Sequence, residues 1–232
     1  MNIQDKSSST ASREAAEFVK KNRKLLIEKF ANPNEYTSVS NPFTIFMAGS
    51  PGAGKTEFSI AFREAHILLD PKSRPVRIDA AEIRWIIPQF TGGNSQQMQF
   101  AASIGVEKLF DYVQEHNYNA IIDGTFSSGS ALRNVERALN RSREVGIFYL
   151  YQEPVVAWEF TKKRERVEGR NIPKDAFVKS FINARENVDL AKDRFGSRIE
   201  LHLVVKNYEN RVQKTHFNID KLENYLKNTY TT

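Results

Sequence analysis

Phe43-Thr44-Ile45-Phe46-Met47-Ala48, then Gly49-Ser50-Pro51-Gly52-Ala53-Gly54-Lys55-Thr56, then Glu57-Phe58-Ser59-Ile60-Ala61-Phe62-Arg63 decide how the chain is read. The middle eight residues match G-x-x-x-x-G-K-[ST] in full. The apolar run before them reads as a buried strand and the residues after them as the opening of a helix. That context makes the match a phosphate loop. Its glycines let the backbone turn N–H groups onto phosphate oxygens, and the helix N-terminus adds positive dipole. Gly49 through Thr56 are therefore the expected nucleotide-binding residues. Lys55 is set to reach the β- and γ-phosphates, and the Thr56 hydroxyl to ligate Mg²⁺.

Working outward, strands and helices alternate. Strands are expected at Val76–Asp79, Tyr118–Asp123, Val145–Tyr151 and Ile199–Val205, with a C-terminal helix after Asn218. Amphipathic helices are expected over 13–30, 95–115, 128–142, from Pro154 into the basic run Lys162-Lys163-Arg164-Glu165-Arg166, and over 174–194. Residues 1–12, polar and rich in Ser and Thr, read as unstructured. Such alternation implies an α/β three-layer sandwich of the P-loop kinase type. Its sheet would be mainly parallel and five-stranded, with helices on both faces and ligands at the strands' carboxyl ends. The domain reading is a flexible segment plus helix over 1–40 and the phosphate-loop domain over 41–232.

Composition narrows the class. The chain has 232 residues, 40% hydrophobic and 27% charged, which suits one large domain. There is no cysteine, so disulfides and thiolate metal sites are excluded. No apolar run approaches the ~20 residues that span a membrane, and the N-terminus lacks the apolar core of a signal peptide. A cytoplasmic protein is expected. The net charge of +6 admits nucleic-acid binding, but the positive residues are spread along the chain. That distribution fits a protein handling phosphorylated anions better.

A phosphate loop alone does not separate kinases from other nucleotidases. A GTPase would carry N-K-x-D, which is absent. A mechanical ATPase would end a strand in Asp-Glu, whereas Ile121-Ile122-Asp123-Gly124 lacks the second acid. The Arg-rich segment before the last strand occupies the place of a small-molecule kinase lid. Arginines there can neutralise charge on a transferred phosphoryl group.

Taken in order, Gly49 to Thr56, Ile78-Asp79-Ala80-Ala81-Glu82-Ile83-Arg84 followed by Pro88 and Phe90, Ile121-Ile122-Asp123-Gly124-Thr125, and the arginines leading to Gly169-Arg170-Asn171-Ile172-Pro173 resemble the zeta toxin family of P-loop kinases. The resemblance covers about Phe43 to about Val205. It implies ATP- or GTP-dependent phosphorylation of a sugar hydroxyl on a nucleotide sugar, typically UDP-N-acetylglucosamine. It also implies a toxin that blocks cell-wall synthesis and is held by an antitoxin. By position it assigns Asp123 and Thr125 to the acceptor, Glu82 and Arg84 to the acceptor pocket, and Arg170 with Arg166 or Arg164 to the transferred phosphate. One departure stands out. The family's proton-accepting acid lies two residues after Asp79, and here that residue is Ala81. Alanine can neither accept a proton nor hold Mg²⁺. Three explanations stay open: Asp79 or Glu82 takes the role, the chain is a degenerate member, or the alanine was introduced to silence a lethal kinase. The fit of the surrounding residues favours the third. The alternatives are an antibiotic, small-molecule or nucleic-acid-end kinase of the same fold, or a non-catalytic nucleotide-dependent binding protein.

Overall fold

The computed structural model describes residues 3–168 and 171–226. In chain order, α1 spans Ile3–Lys21, α2 Arg23–Phe30, β1 Phe43–Ala48, α3 Lys55–Leu69, β2 Val76–Asp79 and α4 Ala80–Arg84. There follow α5 Gln99–Glu115, β3 Ala120–Asp123, α6 Ala131–Leu139, β4 Glu144–Tyr151, α7 Pro154–Glu168, α8 Lys174–Phe195, β5 Glu200–Lys206 and β6 Val212–His216. The sheet order is β2-β3-β1-β4-β5-β6. The first five strands are mutually parallel, and β6 returns antiparallel along β5.

Period-two alternation builds the three layers. Phe46, Ala48, Ile147, Tyr149, Leu201 and Leu203 enter the larger core, shared with Val19, Ala101, Ala102, Leu109 and Val113 of α1 and α5. Their strand neighbours Met47, Phe148, Leu150 and Val204 face the other way, onto Phe58 and Phe62 of α3. Buried Arg143 locks the sheet's start. Its Nε donates to Thr44 Oγ1 at 2.7 Å and its Nη2 to the Phe43 carbonyl at 2.7 Å and to the Tyr118 carbonyl.

Four expectations change. A sixth strand, β6, joins the five. It is an exposed edge whose Val212-Gln213-Lys214-Thr215-His216 carries little apolar alternation, so pairing with β5 forms it rather than burial. The helix expected after Asn218 is, among the described residues, a single 3₁₀ turn at Leu222–Asn224. Residues 3–12 belong to α1 instead of lacking structure. That helix is anchored by Ala15, Ala16 and Val19, all buried in the main core. The single helix expected over 13–30 is also divided at Asn22, whose side-chain Nδ2 donates to the Phe18 carbonyl at 2.8 Å. No described helix is long and apolar enough to cross a membrane.

Candidate active site

The parallel register brings five strand ends to one edge of the sheet, with β1 central between β3 and β4. The phosphate loop leaves β1 there. Gly49, Gly52 and Gly54 have φ of +128°, +76° and +79°, values that strongly favour glycine. Close packing reinforces the requirement. A Cβ on Gly49 would lie 2.3 Å from the Leu150 carbonyl oxygen, and one on Gly52 2.1 Å from that of Ala157. The loop is thus wedged between β4 and α7. Gly49 N–H donates to the Thr125 carbonyl at 3.1 Å, tying the loop to the end of β3. Lys55 is buried and donates to the Ser50 carbonyl at 2.6 Å, so its ammonium sits across the loop. α3 starts at Gly54 without a side-chain cap, leaving first-turn N–H groups that no carbonyl one turn back can satisfy.

A cleft of about 380 Å³ opens over the loop, within the size range of small-molecule sites. Pro51, Gly52, Gly54, Lys55 and Thr56 form its floor, and Asp79, Asp123 and Thr125 one wall. The opposite wall is α7. Phe160, Arg164 and Val167 follow the i, i+4, i+7 stripe of a helix face, with Thr161 and Lys163 beside them. Arg166 falls off that stripe and is exposed. The basic run is therefore helical, with one face on the cleft and Arg164 on that face. Arg170 lies outside the described residues.

A buried guanidinium organises the wall at β2 and β3. Asp79 and Asp123 are register partners on adjacent strands, so two carboxylates stand side by side. Arg77 lies two residues before Asp79 and on the same face. Its Nη2 donates to Asp79 Oδ2 at 2.8 Å and to Asp123 Oδ2, its Nη1 to Glu82 Oε1 at 2.6 Å, and its Nε to Ser59 Oγ at 2.8 Å. Burial pulls the guanidinium's pKa down, but Asp123 and Asp79 more than reverse this, leaving it raised. The other Asp79 oxygen caps α4 by accepting from Ala81 N–H at 2.7 Å. Ser59 Oγ lies 2.7 Å from Asp123 Oδ2 and 2.9 Å from the Thr56 carbonyl, so the network reaches back to the phosphate loop.

Glu82 and Arg84, expected in the acceptor pocket, do not line this cleft. Glu82 is drawn onto Arg77 and borders a separate hollow with Tyr36 and Arg63. Arg84 is 3% exposed and donates to Gln99 Oε1 at 2.9 Å, joining α4 to α5. Ala81 is partly buried and also off the cleft wall. Thr125 is held in place from α8. Asn187 Nδ2 donates to the Phe126 carbonyl at 2.9 Å and Ser180 Oγ to Ser127 Oγ at 3.1 Å, fixing a turn in which Phe126 adopts φ of +60°.

The cradle fits a nucleotide: a glycine-built loop, a helix start, and Lys55, Lys163 and Arg164 around one cavity. The Thr56 hydroxyl and the Asp79 and Asp123 carboxylates border it where a magnesium ion would be held. Among the described residues no group of three or more His, Cys, Asp or Glu could hold a metal. Such an ion would therefore take most of its ligands from the nucleotide's phosphates and water.

Arg77→Met is expected to lower stability by about 3–5 kcal/mol, because it strands the buried Asp123 carboxylate beside the partly buried one of Asp79. Urea denaturation measures this. Arg77→Lys, which keeps a cation there, should lose less; an equal deficit in both variants would mean that the charge contributes nothing.

A family model described as Zeta toxin matches residues 6–220. No curated protein matches the chain. Among solved structures, the fold is similar to one from the PezAT chromosomal toxin-antitoxin system of Streptococcus pneumoniae. That likeness has a TM-score of 0.62 and 18% identity, covering 88% of this chain and 80% of that one. The AvrRxo1-ORF1:-ORF2 complex is similar at a TM-score of 0.60 and 14% identity, covering 96% and 70%.

Proposed function

The chain belongs to the zeta toxin family, and from that premise we propose that it transfers the terminal phosphoryl group of ATP or GTP to a sugar hydroxyl of a nucleotide sugar, the class of UDP-N-acetylglucosamine. Family membership and the P-loop kinase fold support a kinase-type toxin. The observation carrying the finer reading is the convergence on one cleft of the phosphate loop, the β2 and β3 carboxylates and a cationic face of α7. A bound magnesium ion would shield phosphate charge. Lys55 and the loop amides hold the triphosphate in line, and Arg164 and Lys163 neutralise charge on the phosphoryl group as it moves. Asp123 and Thr125 orient the acceptor hydroxyl. As in the PezAT system, an antitoxin chain would restrain the protein.

A second reading is favoured by Ala81 together with the engagement of Asp79, Glu82 and Asp123 by Arg77. In it the protein binds nucleotide and transfers slowly or not at all. One experiment separates the two. Incubate the protein and its Ala81→Asp form with MgATP and UDP-N-acetylglucosamine, then follow the sugar nucleotide by mass spectrometry. A gain of one phosphate supports transfer. ATP binding with no gain on this or any acceptor in a panel of nucleotide sugars leaves the binding reading.

A further inference from the structure

β5 ends at the same edge of the sheet as the phosphate loop, and its last residue, Lys206, meets that loop. The pairing with β6 shifts register at this point: Val205 faces Lys214 and Lys206 faces Val212, leaving Gln213 without an opposite residue. The turn that follows is tightly built. Asn207 N–H donates to the Arg211 carbonyl and Asn210 N–H to the Asn207 carbonyl, both at 2.9 Å. Asn207 Oδ1 accepts from Glu209 N–H at 3.0 Å and Arg211 N–H at 2.9 Å. This holds Asn210 at φ of +61° over Gly54. A Cβ on Gly54 would lie 2.8 Å from Asn210 Oδ1 and 3.0 Å from Lys206 Nζ. Both side chains therefore press on the glycine immediately before Lys55.

Lys206 is 9% exposed, as is Lys55, but the two are satisfied differently. Lys55 donates to the Ser50 carbonyl. Lys206 has no hydrogen bond and no ion pair within 4.0 Å among the described residues, while Asn210 Oδ1, also buried, lacks a donor. Burial lowers the Lys206 ammonium's pKa, and Glu57 opposes this only at longer range. A lysine placed to cover apolar surface would carry its charge out to water. This one keeps it beside Gly54, on the loop that an arriving phosphate chain would meet.

We propose that Lys206, with Asn210 beside it, is a second phosphate-binding element of the nucleotide site, closing over Gly54 from the β5–β6 turn so that the phosphate chain is gripped from two sides. This rests on the nucleotide-binding part of the proposed function and requires neither an acceptor nor turnover. Lys206 ion-pairs with phosphate oxygens, and the Asn210 amide donates to the same group.

Calorimetric titration of the full chain with MgATP, and separately with tripolyphosphate, tests this in the wild type, Lys206→Met and Lys55→Ala. Lys206→Met keeps the stem and removes the charge. Its affinity for MgATP is expected to fall about 10- to 100-fold, with a shallower dependence on salt. Its ligand-free Tm is expected to be unchanged or higher, since a desolvated charge is removed. Tripolyphosphate losing affinity in parallel identifies the phosphate chain as the group recognised. Tripolyphosphate binding unchanged while MgATP weakens would overturn the phosphate assignment. A lowered Tm with MgATP affinity intact would show a packing role and overturn the proposal. Lys206→Met binding MgATP within about twofold of wild type while Lys55→Ala fails would overturn it and leave the kinase reading standing. A wild type that binds no nucleotide would overturn both.

Discussion

Ala81→Asp is expected to raise phosphoryl transfer by about 10²–10⁴-fold, the range a positioned general base supplies. The expectation follows from how the nearby carboxylates are used. Asp79 has one oxygen on the Ala81 amide and the other on Arg77. Asp123 gives an oxygen to Ser59 and Arg77, and Glu82 is drawn to Arg77; neither Glu82 nor Ala81 lines the cleft, but a carboxylate at 81 would stand two residues past Asp79, which does. These are structural engagements that occupy the carboxylate oxygens. Position 81 is free of such ties. It lies in the first turn of α4, just past the end of β2, where a negative side chain also interacts favourably with the helix dipole. The substitution should therefore be stability-neutral to within about 1 kcal/mol. Single-turnover assays with labelled ATP and a panel of nucleotide sugars measure the rate. An Ala81→Asp protein that folds, binds ATP and transfers no faster would remove position 81 from the mechanism and return the question to Asp79.

The fold was legible because its signals are local and periodic. The β1–loop–α3 run announces itself in 21 consecutive residues, and four further strands show as apolar runs between helical patterns. The site was legible only where a motif lies on a strand end. Arg77 could have been found: it is spaced i, i+2 from Asp79 in a strand, which puts both on one face. An arginine between Val76 and Ile78 is a buried charge in need of acids. Helical phase along the helix expected from Pro154 into the basic run would also have separated Arg164 from Arg166. Lys206 and Asn210 gave no such signal. They lie about 150 residues beyond Gly54 in the chain, and only the sheet order places β5 near the loop. β6 was missed for a related reason. An exposed edge strand is specified by its neighbour's unpaired backbone, and its own side chains say little.

Lys55→Ala is expected to lower transfer by about 10³-fold or more in whichever form turns over, and to weaken MgATP binding severely. The ammonium bridges its own loop through the Ser50 carbonyl at 2.6 Å. That contact holds the charge where a triphosphate would arrive, so little reorganisation is needed on binding. Removing it deletes the central cation of the cradle and leaves the remaining positive charge, from Lys163 and Arg164, on the wall. The wall still attracts anions but cannot align the terminal phosphorus with an acceptor. Stability should change little. The lost hydrogen bond costs about 1–2 kcal/mol, and the loss of a buried ammonium offsets part of it. Far-UV circular dichroism and thermal unfolding establish that the variant folds. Labelled-ATP transfer and calorimetric titration then read the defect. A folded Lys55→Ala that still transfers phosphate at a rate within tenfold of its parent would mean that catalysis does not pass through this loop, and the kinase mechanism argued from the cleft would have to be abandoned.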